Sequence, residues 1–214
     1  MGKLWVLEGI DGTGKTTQFE LLCAELNRRG IVHRELSFPE YGNESSLFVR
    51  KYLAGGYGTD PDAVSPYAAS TFYALDRFDS YKCRWERDYL DGGLFVSCRY
   101  ATSNAVHQGA KLEGNARTDY FAWLCDLEYA KMGIPSPDCV LLLDLPVTLA
   151  LENIRARNEH RDIHETDAAY LTRCAESARD AAKYYGWNVI PCAAGDKMRT
   201  REAIAADIVA AFGL

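Results

Sequence analysis

Short segments rich in strand-forming residues recur along the chain, and amphipathic stretches of helical period separate them. The strand-like segments span residues 3–8, 32–38, 94–98, 138–144 and 187–191. Some read as continuous apolar runs, such as Val140-Leu141-Leu142-Leu143, the pattern of strands buried on both faces. Helices are predicted over 16–29, 45–53, 118–131, 147–157, 167–185 and 200–212, the first with Phe19, Leu22, Cys23 and Leu26 on one face. A longer helix opens at Ser65-Pro66, an N-cap followed by proline in the first helical position, and runs to about Asp91, where Gly92-Gly93 ends it. Strands alternating with helices predict an α/β fold: a three-layer, doubly wound parallel sheet of about five strands flanked by helices. No linker, repeat or low-complexity stretch divides residues 1–214, which read as a single domain. The charged stretch 158–167 carries no apolar stripe. It fits a mobile lid, placed near 155–167, better than a core element.

Charge and cysteine content narrow the function classes. A net charge of −6 over 214 residues argues against a nucleic-acid-binding surface, which would favour a basic stripe, but leaves room for a small anionic substrate held by a few arginines. The seven cysteines, at 23, 83, 98, 125, 139, 174 and 192, include no C-x-x-C pair. An odd number inside apolar runs reads as reduced thiols in a cytoplasmic protein. Met1 leads directly into a strand pattern, so no signal peptide is expected, and no apolar run approaches the ~20 residues that span a bilayer.

The chemistry concentrates after the first strand. Gly9-Ile10-Asp11-Gly12-Thr13-Gly14-Lys15-Thr16-Thr17 fits the pattern G-x-x-x-x-G-K-T between a strand and a helix, the context in which the pattern has a mechanism. The glycines let the backbone curl so that several N–H groups point inward, and the helix that follows aims its positive dipole end at the same place. Lys15 adds a cation for the β- and γ-phosphates, and the Thr16 hydroxyl can ligate Mg²⁺. The loop is therefore expected to bind ATP. On its own it says nothing of the acceptor.

Further blocks in order along the chain carry a resemblance: residues 8–17, Phe38-Pro39-Glu40, 66–77, Arg99-Tyr100 with Ser103-Asn104 and Gln108, 137–144 and 155–165. From residue 3 to roughly residue 212 the chain resembles the thymidylate kinases. The resemblance implies transfer of the ATP γ-phosphoryl group to dTMP with Mg²⁺, in a cytoplasmic homodimer. It also implies that Tyr73 stacks on thymine, that Arg77 reaches the O4 side, and that Asn104 and Gln108 read the base edge. Arg99 and Arg50 would bind the acceptor phosphate, Asp11 would lie near the sugar 3′-hydroxyl, and Phe38, Pro39, Tyr100 and Ser103 would complete the acceptor site. One branch of the family carries a basic residue where this chain has Gly12; the other supplies the cation from the lid, as Arg155, Arg157 and Arg161 would here, with Arg157 and Arg161 favoured as catalytic beside Lys15 and Arg99. Two positions depart from the pattern. Cys98 stands where an aspartate is usual, and Tyr41 where an arginine is frequent. Alternatives are a kinase of the same fold acting on another nucleotide or a nucleoside, a nucleotide binder whose catalysis is weakened by Cys98, and a switch protein with no small-molecule acceptor.

Overall fold

The computed structural model describes residues 1–58, 60–156 and 168–214. In chain order the elements are β1 (Lys3–Glu8), α1 (Lys15–Arg28), β2 (Arg34–Ser37), α2 (Leu47–Leu53), α3 (Pro66–Ser80), α4 (Glu86–Leu90), β3 (Leu94–Cys98), α5 (Thr102–His107), α6 (Gly114–Cys125), β4 (Cys139–Asp144), α7 (Val147–Ala156), α8 (Ala168–Tyr185), β5 (Asn188–Pro191), β6 (Ala193–Ala194), β7 (Lys197–Met198) and α9 (Arg201–Ala211). Strands β1 to β5 form one parallel sheet in the order β2-β3-β1-β4-β5. Each parallel crossover has to lie over a sheet face, so both faces are covered and the expected three layers result.

Alternation along the strands assigns the layers. Leu4 and Val6 of β1 join Phe95 of β3 against Tyr81, Trp85 and Tyr89, whereas Leu7, Val96 and Leu141 pack with α1, α7, α8 and α9 through Phe19, Leu22, Ile154, Cys174 and Ile204. The first cluster is unusually aromatic. Trp85 is 2% exposed, with its ring 4.7 Å from Tyr81 and 5.0 Å from Phe95. A π-helical turn, Tyr81–Trp85, lies between α3 and α4. Its extra residue per turn turns the rings of Tyr81 and Trp85 inward while the helix continues. Gly92 (φ 98°) follows α4, and the Gly92 and Gly93 amides donate to the carbonyls of Tyr89 and Asp88. These bonds satisfy the orphan carbonyls of a helix C-terminus.

Several elements differ from the sequence expectation. The second strand is shorter, because β2 is an edge strand with one hydrogen-bonded neighbour and Val32 lies outside it, 90% exposed. The helix expected at 118 begins at Gly114 and passes into a π-helical stretch, Asp126–Lys131. The six-residue α5 and the β6–β7 hairpin were not expected, being too short to show a period. Among the described residues, no helix is long and apolar enough to cross a membrane. Trp85→Ala should lower stability by about 3–5 kcal/mol, measured as a shift of the urea unfolding midpoint without a change in slope.

Candidate active site

Strands β1 and β3 are neighbours, with Leu7 opposite Cys98, so the turn after β1 and the turn after β3 emerge side by side. Ligands in open α/β sheets bind at such carboxyl ends. The turn after β1 is the glycine loop. Gly12 (φ 83°) and Gly14 (φ 85°) both adopt left-handed backbone, and α1 begins at Lys15. A Cβ at Gly12 would lie 2.2 Å from the Ala150 carbonyl oxygen of α7, so the position admits no side chain. Asn153, one turn further along α7, donates to the Gly12 carbonyl at 2.8 Å. Lys15 Nζ spans the loop, donating to the carbonyls of Gly9 (2.7 Å) and Ile10 (2.8 Å).

The turn after β3 begins at Arg99, the one non-glycine residue with positive φ (68°) among the described residues. A side chain in this region is costly, and such backbone persists where its surroundings enforce it. Those surroundings are visible. The Arg99 amide donates to the Leu7 carbonyl at 3.2 Å, Nη2 donates to Asp11, and Nη1 lies 2.9 Å from His107 Nε2. Burial opposes the charges of Asp11, Lys15 and Arg99, and their mutual arrangement decides the outcome. Arg99 and Lys15 hold the Asp11 carboxyl well below the usual range, and Asp11 and Glu8 raise Arg99. Burial first, then the Arg99 charge, brings Lys15 down to about 8.

Two cavities meet at this ion pair. The smaller, of about 170 Å³, is lined by Asp11, Gly12, Gly14, Lys15, Thr16, Cys98 and Arg99. The larger, of about 220 Å³, is also lined by Asp11 and Arg99, and adds Phe38, Pro39, Tyr41, Leu53, Tyr73, Arg77, Tyr100, Ser103, Asn104, His107 and Gln108. The Phe38-Pro39 peptide is cis. Of the loop residues singled out in the sequence, Ile10 and Thr13 are buried beneath the cradle, while Gly9 and Thr17 do not line it. Thr16 presents an exposed hydroxyl at its rim. Arg50 does not line the larger cavity. Its Nη1 donates to the carbonyls of Tyr41 and Asn43, at 2.7 Å each, and to Ser46 Oγ at 2.5 Å, so it braces the 41–46 loop. Arg155 closes α7, and Arg157 and Arg161 lie outside the described residues.

Some supporting residues carried no sequence signal. Arg77 is 2% exposed and grips both carboxylate oxygens of the fully buried Glu128 through Nε and Nη2, with Nη1 3.5 Å from the Tyr100 carbonyl. Glu8, also fully buried, accepts from Thr102 Oγ1 (2.8 Å) and Ser103 Oγ (2.7 Å), which fixes α5 against the end of β1. His107, one turn after Ser103 on α5, would have been found from the i, i+4 spacing once α5 was known. Gln108 Oε1 is buried without a hydrogen-bond partner among the described residues. Burial raises the pKa of the Cys98 thiol against the pull of Lys15 and Arg99, leaving a neutral soft group in the phosphate cradle. Oxygen donors there are the Thr16 hydroxyl and the Asp11 carboxylate. This set fits Mg²⁺ that arrives with the phosphates and takes most of its oxygens from them and from water.

A parallel sheet with a glycine-loop cradle beside a second cavity defines a P-loop nucleotide kinase fold. The family model described as Thymidylate kinase matches residues 7–204. Similar proteins include the thymidylate kinase of Mycobacterium tuberculosis (strain H37Rv), 34% identical over 201 residues that cover 87% of this chain and 90% of that one. They also include the thymidylate kinase of Synechococcus sp. (strain WH7803), 31% identical with 92% and 90% covered, and that of Dinoroseobacter shibae, 29% identical with 98% and 95% covered. The chain belongs to the thymidylate kinase family.

Lys15 gives a pH prediction. Phosphate binding needs the charged ammonium, and the unliganded side chain loses its proton as pH rises through about 8. Affinity for ATP should be nearly flat below that pH and fall by up to about tenfold per unit above it, with proton uptake near zero below about pH 8 and approaching one per ATP bound above it. Calorimetric titration in buffers of different ionisation enthalpy measures both.

Proposed function

We propose that this chain transfers the γ-phosphoryl group of ATP to a phosphate oxygen of dTMP, giving ADP and dTDP for dTTP synthesis. The observation that carries the reading is the shared wall: Asp11 and Arg99 line both cavities, so two anionic ends can meet at one guanidinium. ATP phosphates would occupy the cradle against the loop amides and Lys15. The acceptor phosphate would pair with Arg99, and its base would lie in the larger cavity. There, Tyr73 offers an aromatic face and Arg77 a donor toward a carbonyl. Asn104 and Gln108 offer amides, and the unpartnered Gln108 Oε1 suits the imide N–H of a pyrimidine.

Catalysis on this reading is positioning and charge neutralisation, and no covalent intermediate forms. The acceptor is already an anion, so no strong general base is required. Asp11, pinned to Arg99 and Lys15, keeps the phosphate-binding guanidinium aimed. Mg²⁺ held by Thr16 and the nucleotide would supply further charge compensation. Closure of the 155–167 lid, bringing Arg157 and Arg161, would exclude water. Arg50 would serve as a second phosphate contact if the 41–46 loop rearranged. A cytoplasmic homodimer fits the same reading, with the half-exposed Leu75 and Phe78 on α3 offering apolar surface for a second copy.

A coupled assay with dTMP, dUMP, dCMP, dGMP and thymidine as acceptors tests the function. dTMP should give the highest kcat/KM, and thymidine as best substrate would rule the reading out. Substitution Cys98→Asp places a hard carboxylate in the cradle in exchange for the thiol. The variant should reach half-maximal rate at lower Mg²⁺ concentration, and an unchanged requirement or lost turnover would refute this account of Cys98.

A further inference from the structure

On the α1 face of the sheet, at its β2 edge, three side chains with metal-ligating atoms converge. Cys23 comes from α1, His33 from the connection that follows, and Glu35 from β2. One ligand atom from each lies within 4.8 Å of the other two. The His33 side chain is 4% exposed, and its Nδ1 lies 3.1 Å from the Ile31 carbonyl oxygen. A carbonyl only accepts, so Nδ1 carries a proton and Nε2 is the nitrogen left facing Glu35, 3.8 Å from its Oε1. Such a carbonyl partner fixes the tautomer of metal-ligating imidazoles. Cys23 is buried, and the Glu35 carboxylate lies against its thiol. Among the described residues, no lysine or arginine pairs with Glu35. The proposed reaction uses none of the three.

We infer that Cys23, His33 and Glu35 form a structural site for one zinc-class divalent ion, with water as the fourth ligand. A thiolate, an imidazole and a carboxylate make a tetrahedral set for zinc, with bonds of about 2.0–2.3 Å. Tetrahedral bonds of that length set ligand atoms about 3.5 Å apart, so the His33–Glu35 spacing of 3.8 Å is near it, and pairs that lie within 4.8 Å need close by little more than about 1 Å at most. Mg²⁺, which demands oxygen ligands, does not compete for this set. On binding, the Cys23 S–H bond breaks, a bond from sulfur to the metal forms, and the proton leaves to water. Burial pushes the thiol up to about 12, so the ion has to displace a tightly held proton. The ion ties the middle of α1 to a four-residue edge strand whose continuation, Phe38-Pro39, lines the acceptor cavity.

The test uses the full chain, stripped of metal under reducing conditions and titrated with Co²⁺ alone. Expected are saturation at one equivalent, a thiolate-to-cobalt charge-transfer band with intense tetrahedral d–d bands, and displacement by one equivalent of Zn²⁺. Cys23→Ser should abolish the charge-transfer band, and Cys83→Ser, at an exposed thiol elsewhere, should leave it intact. Glu35 is exposed, so Glu35→Gln folds even if Cys23→Ser does not. It should weaken Co²⁺ binding by about tenfold or more and reduce the rise in Tm that Zn²⁺ gives the parent chain. Absence of the band, its persistence in Cys23→Ser, or unchanged affinity in Glu35→Gln overturns the inference.

Discussion

The ion pair between Arg99 and Asp11 is the constraint on which the site depends. It joins the turn after β3 to the loop after β1, and both partners line both cavities. Its partners are largely withdrawn from water, where an unpaired charge is expensive and a paired one is held firmly. That pairing accounts for two otherwise costly features, the left-handed backbone of Arg99 and a carboxylate set among phosphate-binding amides. It also lowers the cost of keeping two cations, Lys15 and Arg99, close together before any phosphate arrives. On the proposed reading, nucleotide phosphates would meet cations already aimed by this carboxylate.

The fold was legible to the extent that local pattern reports it. The central strands β1, β3 and β4 were visible because strands buried on both faces must be apolar, the half-buried edge strands β2 and β5 only as short segments between helices, and the long helix opening at Pro66 because Ser65 and Gly92 mark its two ends. The π-helical turns were hidden, since one extra residue in a helix changes which rings face inward without altering composition. Helix α5 was hidden for a different reason. Its stability comes from the buried Glu8 carboxylate that receives Thr102 and Ser103, a partner about 95 residues away in the chain.

The phosphate loop could be read residue by residue because its chemistry is contiguous. The larger cavity could not, and the resemblance drew attention to residues lining it that spacing alone would have left as surface groups. Even so it did not point to Glu128, whose carboxylate fixes the buried Arg77, or to His107, which abuts Arg99. Such supporting residues come from other elements and are chosen by packing and charge in three dimensions, so no short motif contains them. Arg50 shows the converse. Its sequence position suggested a phosphate contact, while its guanidinium is engaged by loop carbonyls that no pattern announces.

The close approach of Gly12 to the Ala150 carbonyl has a consequence for how this protein can change. A basic residue at this position, as the resemblance implies for one branch of the family, would bring a cation to the cradle from the loop itself. Here that route is closed by backbone, which cannot rotate aside as a side chain could. Reaching it would require α7 to back away and Asn153 to release the Gly12 carbonyl in the same step.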